Sequence, residues 1–140
     1  MSNYKKYGDI INETKTSSQP LSSNDNNKNN NVVHLESQEQ LNNLVMNNKV
    51  VVVDIYGDFC QPCRAIAPRF SEMSNIYKND GFVFIKEDCN KKITPGVRGV
   101  PTFNFYVNGV LQRNDTIVGA DIATVDKTLK KYQDMFKPPQ

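Results

Sequence analysis

The chain has 140 residues, which suits one compact domain and leaves little for a second. Its formal charge is +2, and from Val32 onward 13 Lys and Arg face 12 Asp and Glu, so no basic surface of the kind phosphate backbones require is expected and nucleic acid is set aside as a partner. Hydrophobic residues reach only 38%, and the shortfall is local to the polar, Asn- and Ser-rich stretch 1–31.

That stretch carries too few apolar residues to offset its chain entropy, so residues 1–31 are expected to form a disordered tail. The start "MSNYKKYGDIIN" lacks an apolar h-region, and no later run is long enough to cross a bilayer. The expectation is a soluble, cytoplasmic protein. The Asn and Lys bias fits an AT-rich genome, and a virion would be a second location if the source were a large DNA virus. A domain is expected over 32–137, followed by a short tail at 138–140.

Residues 32–35, "VVHL", are short and β-branched and predict a first strand. Ser37 with Gln40 has the capping-box form, and Leu41, Leu44 and Val45 follow at helical spacing, predicting a helix over about 38–46 that Asn47 and Asn48 end. "VVVVDIY" is apolar on consecutive positions, as a central strand covered on both faces would be. Beyond the cysteines, Pro62 suits a first helical turn, and Ile66, Phe70, Met73 and Tyr77 share one face. Pro68 inside that helix removes a backbone donor and is expected to kink it.

Residues 81–88 predict a third strand, and 90–99 an irregular connection with at most one helical turn. Around Asn108-Gly109 the pattern alternates, so 102–107 and 110–118 are expected to pair antiparallel. Asp121 then caps a last helix with Ile122, Val125, Leu129, Tyr132 and Phe136 on one face, stopped by Pro138 and Pro139. The order β-α-β-α-β-β-α needs crossovers and a parallel portion, and the hairpin adds an antiparallel one. The fold class is α/β, a mixed central β-sheet with helices on both faces.

Chemistry concentrates at "CQPC". Cys60 and Cys63 can close a disulfide, hold half a zinc site or fill a core, but tetrahedral zinc needs two more ligands and only Cys89 and His34 remain, in no paired motif. No metal site is therefore expected. In a reducing compartment a single C-x-x-C beside a strand-helix pattern points to redox chemistry. Cys60 falls at the strand-to-helix junction, where the N–H groups of the helix favour thiolate over thiol, and Cys63 lies one turn in, suited to resolving a mixed disulfide. Asp54 follows four valines, which places it in the interior, where desolvation raises a carboxyl pKa. Cys89 and His34 are read as structural.

The stretch "VVVDIYGDFCQPC" resembles the active-site segment of the thioredoxin family, and "VRGVPTF", "NG" and "VGA" resemble, in order, its cis-proline loop, hairpin turn and the glycine before its last helix. The likeness covers about 32–136 and implies the thioredoxin-like fold. By that resemblance Cys60 is the attacking cysteine, Cys63 the resolving one, and Asp54 the buried carboxylate that exchanges a proton with Cys63. Pro101 would be cis, leaving the Val100 backbone free to pair with an extended substrate, with Phe59, Gln61 and Pro62 as further contacts.

The implied function is reduction of protein disulfides, within cell redox homeostasis and electron transport, by a monomer with no bound cofactor, recharged by a thioredoxin reductase drawing on NADPH. A disulfide oxidase or isomerase, or a non-catalytic binding module of the same fold, are the alternatives. Phe59 replaces the family's usual tryptophan, Tyr56 stands where another tryptophan or aromatic is common, Gln61 replaces the usual glycine, and the span from Asp88 to Pro101 is shorter than usual, which predicts a degraded helix there.

Overall fold

A computed structural model describes residues 31–138; the proposed tail lies almost entirely outside the described residues. Strand β1 (Val32–His34) leads to α1 (Gln38–Asn47), β2 (Val50–Tyr56), α2 (Gln61–Ile76) and β3 (Phe82–Asp88). Then come β4 (Thr102–Val107), β5 (Val110–Leu111), β6 (Ile117–Val118) and α3 (Ile122–Met135). The sheet order is β1-β3-β2-β4-β5, with β6 also on β4; β1, β3 and β2 are parallel and β4 runs against β2. Among the described residues no helix is long and apolar enough to cross a membrane.

The local signals act as expected. Ser37 accepts the Gln40 amide at 3.1 Å, although the Gln40 side chain reaches one residue further back, to the Glu36 amide, than in a standard capping box. Asn47 and Asn48 turn their side-chain amides onto the carbonyls of Asn43 and Leu44 and end α1. Asn108 and Gly109 both adopt positive φ, 52° and 84°, the conformation that a two-residue hairpin turn demands. Asp121 caps α3 through the Thr124 amide and hydroxyl.

Because strand side chains alternate, β2 serves two cores. Val50 and Val52 join Ile66, Phe70, Leu129 and Tyr132 beneath α2 and α3, while Val51, Val53 and Ile55 join Leu41, Leu44 and Val45 beneath α1. The first core is aromatic: the Phe70 and Phe84 rings lie 5.1 Å apart and Tyr77 stacks on Phe82 at 5.7 Å. The helix α2 runs unbroken through Pro68, which sits on its exposed side.

One expectation is corrected. The strand foreseen over 110–118 is split into β5 and β6 by a 3-10 turn at Arg113–Asp115. The turn is drawn off the sheet by α3: the Asp115 carboxylate takes the Lys131 ammonium at 3.0 Å and the Tyr132 hydroxyl. Pairing resumes where Thr116 bonds Asn104 across the bulge.

A second tyrosine-carboxylate pair joins α2 to α3, with the Tyr77 hydroxyl donating to Asp126 at 2.7 Å. Part-burial pushes the Asp126 carboxyl up, but the hydrogen bonds from Tyr77 and Lys130 outweigh it and hold it below the usual range. A depressed carboxyl stabilises above its unfolded pKa and loses that contribution as pH falls through the folded one. Tyr77→Phe is therefore expected to cost about 1–2 kcal/mol in urea denaturation at pH 7, and the difference should shrink as pH falls below the ordinary carboxylate range.

Candidate active site

The carboxyl ends of β2 and β3 lie towards the N-terminus of α2, where Cys60, Cys63 and the Val100 carbonyl come together. Cys60 is the N-cap residue of α2, with its Sγ accepting the Cys63 amide at 3.2 Å. The two cysteines form a disulfide with Cα atoms 5.2 Å apart, and both are buried. A sulfur at a helix N-terminus sits against unpaired N–H groups and the positive end of the helix dipole, which lowers the energy of a thiolate when the bond is reduced. Pro62, in the first turn, lacks an N–H where none is needed, and both it and Gln61 are exposed.

Phe59 precedes the pair with φ of 58°, a left-handed conformation that costs a non-glycine residue energy, and its ring is 89% exposed. On the opposite side the Val100–Pro101 peptide is cis, and the Val100 carbonyl oxygen lies 3.8 Å from Cys60 Sγ. The loop is tied from both flanks: Thr102 Oγ1 donates to the Gly99 carbonyl at 2.6 Å, and the Gly119 amide to the Pro101 carbonyl at 2.7 Å. Val118, exposed, stands beside Gly99, the residue before Val100.

Asp54 is fully buried, and no described residue hydrogen-bonds either of its carboxylate oxygens. By strand alternation it shares the face of Val50 and Val52, the one that α2 covers. Burial lifts its pKa from 3.8 to about 7, against the opposing pull of the Lys86 charge. At that value the group can exchange a proton near neutral pH.

Lys86 escaped the sequence reading. It is the register partner of Asp54 on β3, and its ammonium caps the Tyr56 ring at 4.8 Å. The available signal was parity: Phe82 and Phe84 face this core, so Lys86 two residues later does too. Cys89 is partly buried, with its sulfur against Gly57, and among the described residues no three His, Cys, Asp or Glu side chains gather as metal ligands. Between β3 and β4 only a 3-10 turn at Cys89–Lys91 remains of helical structure, in keeping with the shortened connection.

The family model for thioredoxin matches residues 31–131. Thioredoxin-3 of Dictyostelium discoideum is 40% identical over 103 residues, 71% of this chain and 94% of that protein. Thioredoxin-1 of Schizosaccharomyces pombe is 34% identical over 101 residues, 71% of this chain and 96% of its own length. Among solved structures, thioredoxin from Malassezia sympodialis superposes with a TM-score of 0.67 at 31% identity, covering 74% of this chain and 92% of the other. The matched span contains the whole sheet and the capped disulfide, and with it the chemistry. The chain belongs to the thioredoxin family and is a thiol-disulfide oxidoreductase.

Proposed function

We propose that the protein reduces disulfides in other proteins, with Cys60 as nucleophile, Cys63 as resolving thiol and Asp54 as the proton acceptor behind it. In the reduced protein the Cys60 thiolate attacks one sulfur of the substrate disulfide; a mixed disulfide forms and the first substrate thiolate leaves. Asp54 takes the proton of Cys63, whose thiolate attacks Cys60 Sγ. The Cys60–Cys63 bond closes, the second substrate thiolate leaves, and two electrons have passed to the substrate.

The observation that carries this reading is the asymmetry of the pair, in which Cys60 Sγ alone caps the helix and faces the Val100 carbonyl. An extended substrate would pair with the Val100 backbone beside the buried Pro101 and rest on the exposed Phe59, Gln61 and Pro62. Electrons would return from NADPH through a thioredoxin reductase. A chain with three cysteines and no disulfide framework suits a reducing, cytoplasmic setting.

The test is the reduction potential of the pair, by equilibration in a thiol buffer followed by alkylation and mass spectrometry, alongside insulin reduction driven by NADPH and a thioredoxin reductase. For other proteins, a reducing thioredoxin lies near about −270 mV and disulfide isomerase near about −180 mV. A value near the first with NADPH-dependent turnover is expected; one near the second would overturn the reducing direction.

A further inference from the structure

Glu87 is fully buried at the end of β3, beside Ile55 of β2 in the register. By alternation from Ile85 it lies on the α1 side of the sheet, opposite the face that carries Asp54. A carboxylate among aliphatic side chains is unfavourable unless its oxygens are satisfied. Here one residue satisfies both: the Thr94 amide donates to Oε2 at 2.9 Å and the Thr94 hydroxyl to Oε1 at 2.7 Å.

An apolar residue at this position would avoid the desolvation cost, so stability alone does not account for a carboxylate there. What the pair specifies is the course of the chain. Between Lys92 and Pro101 there is neither helix nor strand. That stretch is held by Ile93 and Val97 against the α1-side core, and between them by the two bonds to Glu87. Its far end is Val100, whose carbonyl faces Cys60 Sγ and whose side chain packs beside Gly57.

We propose that Glu87 is a positioning residue for the dithiol site: by clamping Thr94 it fixes the connector and so holds Val100 where a protein substrate pairs beside Cys60. The proposal rests on the reading of Val100 as a substrate contact. A clamp of this kind acts on protein substrates that need the Val100 backbone and leaves a small disulfide, which needs only the sulfur, untouched.

The test uses the full chain with Glu87→Leu, Thr94→Val and Thr94→Ser. In Glu87→Leu, KM for insulin should rise about fivefold at unchanged kcat, while the rate with a small aromatic disulfide stays within about twofold of the parent. Thr94→Val should reproduce this and Thr94→Ser, which keeps the hydroxyl, should restore the parent KM. Amide hydrogen exchange over 94–100 should quicken in Glu87→Leu and Thr94→Val. Faster exchange with an unchanged insulin KM would overturn the positioning role, and unchanged exchange would overturn the clamp itself. Failure of the parent protein to reduce insulin would count against the reductase reading, whereas the exchange rates decide the clamp without reference to activity. Should Glu87→Leu not fold, Thr94→Val carries the same readouts.

Discussion

Asp54→Asn is expected to stabilise the oxidised protein by roughly 4 kcal/mol at pH 8, a large share of the total stability of a domain this size. The figure follows from a carboxyl lifted from 3.8 to about 7 by burial, with Lys86 compensating only in part. A raised carboxyl pKa means the folded state prefers the protonated form. The penalty is absent below the unfolded pKa, grows as pH rises between 3.8 and about 7, and is complete above that. The gain from Asn should therefore be near zero at about pH 3 and full by about pH 8, as urea denaturation across pH would read. A gain independent of pH would mean that packing, not charge, accounts for it. On the proposed mechanism the same substitution removes the proton acceptor for Cys63, so turnover should fall about tenfold or more near pH 7 and lose the inflection at about that pH.

Cys60→Ser should abolish insulin reduction, a loss of about a thousandfold or more, because a hydroxyl at this position is not ionised near neutral pH and forms no mixed disulfide. Cys63→Ser should lose turnover as well but by a different route: Cys60 still attacks, and the mixed disulfide persists because nothing resolves it. Mass spectrometry of Cys63→Ser incubated with an oxidised protein should show the adduct, released by dithiothreitol. The helix N-terminus makes Cys60 the attacking sulfur in this scheme. An adduct formed by Cys60→Ser through Cys63 instead would reverse the two roles.

Where a residue's neighbours in sequence are also its partners, the reading of the chain succeeded. Ser37 caps α1 through an amide three residues on, Asp121 caps α3 the same way, and the Asn108-Gly109 turn depends on backbone conformations those two residues favour. Burial of Asp54 was legible because four valines before it require cover on both faces. The split of the last hairpin was not, since Asp115 is held by Lys131 and Tyr132, which lie a helix away. Lys86 and Glu87 were legible only in part: parity along β3 gives the face of each, but only the register with β2 and the return of Thr94 give each its partner.

The sequence by itself determined the element order apart from the split into β5 and β6, the caps and turns, and the helix-capping place of Cys60, because these rest on short-range steric and hydrogen-bonding preferences. Tertiary structure alone decided how strongly Asp54 is perturbed, what stands beside it, and how the connector reaches Cys60. Those are matters of dielectric and distance between strands and loops far apart in the chain. They exist only once the sheet has brought Lys86 beside Asp54 and Val100 to within 3.8 Å of the sulfur.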